Sequence, residues 1–300
     1  MATVRDAQER WLVTGSTGFL GSNAPRYLSS GLELIAASRT GVRVPGYGEA
    51  ISLDLTDVSA ARAAIASARP TVILHSAALA EHEKCESDPA LAHRVNAVAT
   101  RELAALAEAI GARFVYISTD AVFDGSKGGY LETDPVSPFS VYGETKLGGE
   151  TAALAETAAL VLRTNFFGWS PSGTRSILEF FVGSLTNRNP VRGYTDFTVT
   201  SIYAGDLLER IELLVGTGES GIFHLASRDA LSKFAFGTCV AEVFDLDGDL
   251  ITPQSAAAGT HATSRVRNLS LNTELVARTL GHSMPSQGEG IRRARAERAG

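Results

Sequence analysis

Tyr142 and Lys146 stand four residues apart in Val141-Tyr142-Gly143-Glu144-Thr145-Lys146, a spacing that puts both side chains on one face of a helix. A free tyrosine has a pKa of about 10, so moving a proton near neutrality calls for a fixed positive charge that favours the phenolate. Lys146 supplies that charge and can also reach the ribose hydroxyls of a nicotinamide nucleotide. Thr119, at the carboxyl end of the apolar run Arg113 to Ser118, offers a hydroxyl to a substrate carbonyl as hydride arrives. The chemistry in view is carbonyl reduction. Its cofactor has a candidate berth in Thr14-Gly15-Ser16-Thr17-Gly18-Phe19-Leu20-Gly21, directly after the apolar run Trp11 to Gly15. Where a strand turns into a helix, bare glycines let the backbone approach a pyrophosphate, and the helix N-terminus adds N–H groups and a positive dipole end. Pro25 is expected to remove a backbone bond from that helix or kink it.

Ser38-Arg39-Thr40 ends the second apolar run, where a carboxylate on the adenosine ribose would mark NAD. A hydroxyl beside a guanidinium instead suits a 2′-phosphate, so NADPH is expected and NADH fits less well. Asp54 and Leu55 are placed at the adenine edge, with Asp54 as acceptor for the exocyclic amine, while Asp57 either shares that role or caps the next helix. Ala77, in the run Thr71 to Ala78, completes the cofactor-binding set.

The elements that must position these groups alternate. Strands are expected at Trp11 to Gly15, Leu32 to Ser38, Thr71 to Ala78, Arg113 to Ser118, Ala159 to Thr164 and Gly221 to Ala226. Helices are expected at Ser59 to Ala68, Leu91 to Ile110, Gly143 to Ala158, Ser176 to Leu185, Ala204 to Val215, Leu231 to Phe244 and Thr273 to Leu280, the last closed by Gly281. Strand and helix in succession imply α/β class: a doubly wound parallel sheet, or Rossmann fold, with a smaller C-terminal substrate-binding region. Residues 1–167 form the dinucleotide-binding domain, to which the chain returns at about 203–245; 168–202 and 246–300 form the substrate-binding region. The basic tail is expected to fray.

Composition narrows the partners. The 300 residues are 44% hydrophobic and 20% charged with formal net charge −6, which argues against nucleic-acid partners and leaves anion binding to local devices. Two cysteines, Cys85 and Cys239, are too few for a disulfide framework and suit a reducing cytoplasm. Apolar runs fall short of a bilayer span, so neither export nor membrane insertion is expected. His82, Cys85 and Glu81 lack a second cluster to complete a metal set, and no metal site is expected.

On these motifs the chain resembles the extended short-chain dehydrogenase/reductases, and within them the dTDP-4-dehydrorhamnose reductase family. The resemblance is carried by the glycine loop, RPTVILHSAA with VNAVATRELA downstream, STDAVFDG (Ser118 to Gly125), PFSVYGETKLGGE (Pro138 to Glu150), VLRT, YAGDL and GIFHLA. It implies Thr119, Tyr142 and Lys146 as the catalytic triad and Asn96 as a supporting asparagine, although Asn96 reads equally as a buried residue satisfying backbone groups. Nucleotide-sugar 4,6-dehydratases resemble the chain too, but read Thr-Asp-Glu where this one reads Thr119-Asp120-Ala121, so reduction is expected rather than water elimination.

The family's aromatic at the position of Ala121 is absent, and Asp196-Phe197-Thr198-Val199-Thr200-Ser201-Ile202 keeps only the aspartate of a family segment. Substrate contacts are accordingly sought at His82, Lys84, Asp120, Ala121, Asn165, Phe166, Trp169 and Arg192, with Arg175, Arg188, Arg265 and Arg267 as further candidates for a diphosphate. For the aromatics of Asn165-Phe166-Phe167-Gly168-Trp169, a buried cluster is the competing reading. The expected function is an NADPH-dependent ketoreductase, an oxidoreductase acting on a nucleotide-linked 4-keto-6-deoxysugar, cytoplasmic and plausible as a homodimer. A nucleotide-sugar epimerase with bound NAD, or a non-catalytic dinucleotide-binding regulatory subunit, are the alternatives.

Overall fold

Segments of four to seven residues, most with an apolar centre, form the strands of one parallel sheet in the computed structural model, which describes residues 9–256 and 267–299. In chain order its strands are β1 (Arg10–Thr14), β2 (Glu33–Ser38), β3 (Glu49–Ser52), β4 (Val72–His75), β5 (Arg113–Thr119), β6 (Leu160–Thr164) and β7 (Gly221–His224). Their order across the sheet is β7-β6-β5-β4-β1-β2-β3. The chain winds outward from β1 to β3 and then restarts at β4 on the other side, so the turns after β1 and β4 lie at the switch point where open α/β sheets bind ligands. Leu12 is registered with Ile35 on one side and Ile73 on the other, and all three are fully buried. Strands covered on both faces read as continuous apolar runs for this reason.

The chain divides into two compact units. One holds the residues up to Ser118 with Ser140–Leu162 and Glu219–Gly221; the other holds Thr119–Phe139, Arg163–Gly218 and the residues from Ile222 onward. The longer helices of the first are α1 (Phe19–Tyr27), α2 (Val58–Ala68), α3 (Ala99–Ile110) and α4 (Val141–Glu156). Pro25 sits inside α1 and does remove a bond, because a proline has no N–H for the Gly21 carbonyl four residues back. The helix continues nonetheless: Tyr47 Oη donates to that carbonyl at 2.6 Å. Asp57 caps α2, accepting from Ala60 N at 3.0 Å. The segment read as one helix from Leu91 to Ile110 contains a π-helical turn at Arg94–Val98, a wider turn that resets which side chains face inward.

In the second unit, short strands pair Phe166–Phe167 with Ile202–Tyr203, Val191–Tyr194 with Ile251–Gln254, and Phe197–Val199 with both Leu231–Ser232 and Arg267–Asn268. Its helices are α5 (Ile177–Thr186), α6 (Ala204–Thr217), α7 (Lys233–Phe244), α8 (Glu274–Leu280) and α9 (Gln287–Ala299). A capping box between Ser176 and Glu179 starts α5. Gly281 ends α8 in the left-handed conformation, as its position predicted. The tail corrects the expectation of fraying: Ile291 and Ala294 in α9 are fully buried. Arg293 on the same helix pairs with Asp206, Glu209 and Glu297. A two-residue apolar stripe was too thin to signal a helix, and the tertiary ion pairs complete it. Among the described residues no helix is long and apolar enough to cross a membrane.

Candidate active site

The glycine loop turns β1 into α1 at the switch point. Gly15 has φ +69 and lies so near Ala77 that a Cβ there would approach the Ala77 backbone to 2.9 Å; a Cβ on Gly21 would reach the Gly15 carbonyl at 2.4 Å. Loop and helix are thus held as close as glycine allows, and Gly18 caps α1 without a side-chain bond, as a phosphate-binding helix start requires. Thr17 is exposed, Phe19 half-buried and Leu20 buried. Among the described residues, Ser16 and Ser38 each bury a hydroxyl with no hydrogen-bond partner. Buried polar groups in that condition point to a ligand, and both stand where a dinucleotide's phosphates are expected, with Arg39 exposed beside Ser38. The residues present therefore fit a phosphorylated dinucleotide. Asp54 is exposed and accepts from Thr56 N at 2.8 Å and Thr56 Oγ1 at 2.7 Å; these bonds hold its carboxyl below the usual range. Leu55 lines a small pocket with Ala61, Ala99 and Leu103.

The catalytic candidates of the first unit sit on α4, which Ser140 caps through Gly143 N at 3.2 Å. The His82 ring lies 5.0 Å from that of Tyr142 in the first turn. Lys146, 2% exposed, donates from Nζ to the Ile117 carbonyl at 2.7 Å and lies 4.0 Å over the Tyr116 ring. Burial pushes its pKa down to about 7, with the Glu150 carboxylate opposing the shift. Gly149 permits this approach, since a Cβ there would meet the Tyr116 hydroxyl at 2.2 Å. Asn96, in the π-helical turn, uses its amide as a clamp: Oδ1 accepts from Leu79 N at 2.8 Å, and Nδ2 donates to Leu79 O and Thr145 Oγ1 at 3.0 Å each.

Sequence reasoning missed His75, which is fully buried between Thr14 Oγ1 at 2.7 Å and Thr100 Oγ1 at 3.1 Å. Burial first, and the Lys146 charge second, lower its pKa to about 3, so it is neutral. Thr100 Oγ1 and Tyr116 Oη both donate to the Asn96 carbonyl. One buried polar chain therefore runs from the residue before the glycine loop to the π-helical turn. A histidine inside an apolar run was its visible signal.

In the second unit, Thr119 is buried; its Oγ1 donates to Asp120 Oδ1 at 3.1 Å and accepts from Ala121 N at 3.2 Å. Asp120 Oδ2 accepts from Asn165 Nδ2 at 2.9 Å, and Asn165 Oδ1 from Ser201 Oγ at 2.5 Å. Burial raises the Asp120 pKa to about 6 against these bonds. Lys233, whose pKa burial lowers while Asp120 opposes the shift, holds its ammonium 4.3 Å over the Phe197 ring; nothing in the sequence singled it out. Ala121 is buried and Phe166 is half-buried on its short strand. Trp169 donates from Nε1 to Ala294 O at 3.0 Å and meets Phe244 edge-on, which favours the aromatic-cluster reading. Arg192 and Arg175 are exposed, Arg188 pairs with Asp247, and Arg267 is buried over Phe139 with a bond to Asp124 O. Lys84 pairs with Glu81. Arg265 lies outside the described residues.

The family model described as RmlD substrate binding domain matches residues 9–299. A dTDP-4-dehydrorhamnose reductase of Streptomyces griseus is 32% identical over 83% of this chain and 81% of its own length. A probable low-salt glycan biosynthesis reductase of Haloferax volcanii is 31% identical over 91% and 93%. Among solved structures, a Bacillus anthracis dTDP-4-dehydrorhamnose reductase in complex with NADP superposes with a TM-score of 0.87 at 25% identity, covering 97% of this chain and 100% of that one.

Proposed function

Because the chain belongs to the RmlD substrate binding domain family, we propose that it is an NADPH-dependent ketoreductase, an extended short-chain dehydrogenase/reductase that reduces a nucleotide-linked 4-keto-6-deoxysugar. The observation that carries this reading is Lys146: a lysine buried one turn after Tyr142, anchored to the end of β5 by its 2.7 Å bond to Ile117 O. Such a buried cation has its clearest use in favouring the phenolate that Tyr142 becomes on giving up its proton.

NADPH would supply the hydride; the glycine loop, Ser38, Arg39, Asp54, Leu55 and Ala77, with Tyr142 and Lys146, would hold it. Arg39 and the unpartnered Ser38 hydroxyl receive the 2′-phosphate. Thr119, on turning its one hydroxyl proton away from Asp120 Oδ1, would donate a hydrogen bond to the carbonyl oxygen of the sugar. Tyr142 gives its phenolic proton to that oxygen as the carbon gains hydride, so ketone, hydride and proton become the alcohol and the phenolate is reprotonated from solvent. Asn96, occupied by Leu79 and Thr145, holds the backbone on the near side of α4.

The experiment follows NADPH absorbance with purified protein and a panel of dTDP-4-keto sugars. Stoichiometric oxidation of NADPH is expected, and Tyr142→Phe should lower turnover by roughly 10²–10⁴-fold with NADPH affinity nearly intact. Cofactor retained through purification with no net NADPH consumption would replace reduction by epimerisation. No turnover together with a co-purifying partner enzyme would replace it by the regulatory reading.

A further inference from the structure

We propose that Glu150 is a positioning residue that keeps Lys146 cationic and ties the end of β5 to α4. The inference rests on Lys146 serving Tyr142 as proposed above. Tyr142, Lys146 and Glu150 recur at four-residue intervals, so all three project from one side of α4. Lys146 is 2% exposed and Glu150 1% exposed. Their contacts fall on successive residues of β5: Lys146 Nζ donates to Ile117 O at 2.7 Å, and Glu150 Oε1 accepts from Ser118 Oγ at 2.5 Å. Thr119 follows directly in the chain. The helix thus grips the last two residues before the catalytic threonine with one cationic and one anionic side chain.

A buried ammonium without a nearby anion loses its proton rather than its burial. The described groups that act on Lys146 can be named. From β4 comes His75, which is neutral and is itself pushed down by the Lys146 charge. From β5 comes Tyr116, whose phenol burial holds protonated while its ring face lies under the ammonium. On α4 itself is Glu150. Glu150 brings the carboxylate, and its effect on Lys146 opposes that of burial. The two residues are one helical turn apart, and a unit charge about 6 Å away in partly polarisable surroundings moves a pKa by roughly one to two units. Removing that charge takes Lys146 from about 7 to a lower value, at which it is largely neutral above pH 7.

The full-length protein labelled with ¹³C at the lysine Cε tests this by NMR titration without substrate, the Lys146 resonance being assigned with Lys146→Met. Glu150→Gln retains an acceptor for Ser118 and removes only the charge. Lys146 is expected to titrate at least about one pH unit lower, and the alkaline fall of kcat/KM to move down equally, so that activity relative to the parent drops about tenfold near pH 8 and recovers towards pH 6. Ser118→Ala removes the tether and leaves the charge; it should move Lys146 by less than about 0.3 unit. The proposal is overturned if Lys146 in Glu150→Gln titrates with the parent, or if Ser118→Ala shifts it as far as Glu150→Gln does. Glu150→Met, neutral and of similar length, is read in the same way should the amide variant fail to fold. A parent protein that reduces no ketone would sink the reductase reading while the NMR titration still decides the role of Glu150.

Discussion

Tyr47 and Pro25 make an energetically coupled pair around the Gly21 carbonyl. Pro25 deprives the Gly21 carbonyl of its helical donor, and Tyr47 Oη replaces it at 2.6 Å. Tyr47→Phe removes that donor while keeping the ring. The cost combines a lost hydrogen bond of about 1 kcal/mol with a carbonyl left short of partners, about 2 kcal/mol in all. Pro25→Ala returns an N–H to position 25, aimed at the same carbonyl. In the Pro25→Ala background, Tyr47→Phe should therefore cost only about 1 kcal/mol, giving a coupling energy of about 1 kcal/mol between residues 22 apart in the chain. Urea denaturation of the four proteins measures the cycle, and hydrogen exchange of the α1 amides locates the effect. An equal cost of Tyr47→Phe in both backgrounds would refute the account. Gly21 lies in the first turn of the cofactor helix, so Tyr47→Phe should also weaken NADPH binding by a small factor, and Pro25→Ala should restore it.

The remaining expectations concern the same unit. Gly21→Ala puts a Cβ 2.4 Å from the Gly15 carbonyl; a thermal melt should show a loss of about 1–3 kcal/mol, and NADPH titration a marked loss of affinity. Arg39→Ala should weaken NADPH by about ten- to a hundredfold, the worth of a charge-assisted phosphate contact, and leave NADH nearly unchanged; equal loss for both cofactors would remove Arg39 from the 2′-phosphate site. Burial lowers the His75 pKa to about 3 in the fold, against 6.5 for an ordinary histidine, so the unfolded chain binds the extra proton between those values. Its contribution is complete above pH 6.5 and is lost as pH falls towards 3, adding up to about 1.4 kcal/mol per pH unit to the slope of stability. His75→Gln should flatten that slope in denaturation at pH 4 to 7, and an unchanged slope would assign the acid sensitivity elsewhere.

The alternation of strands and helices was legible because buried parallel strands must be apolar along their whole length, and each central strand shows such a run. Departures arose where the deciding contact is distant in sequence. Arg94–Val98 became a π-helical turn, although its composition resembles the helix around it. The basic tail became α9, held by Arg293 to Asp206 and Glu209. Trp169, a candidate for stacking on a ligand, was drawn into bonds with Ala294 and packing on Phe244.

By itself the amino-acid sequence determined the spacing of Tyr142 and Lys146, the glycines of the turn after β1 and the absence of an acidic residue at Ser38-Arg39-Thr40. Those are local facts, set by helix periodicity and by which residues lack a Cβ or carry charge. Only the tertiary structure decided that Lys146 is buried against Tyr116 and Ile117, that Glu150 accompanies it, that His75 is neutral between two threonines, and that Tyr47 repairs the gap left by Pro25. Burial and partner distance govern the energy of a charge or a carbonyl, and both are properties of the folded neighbourhood rather than of residue order.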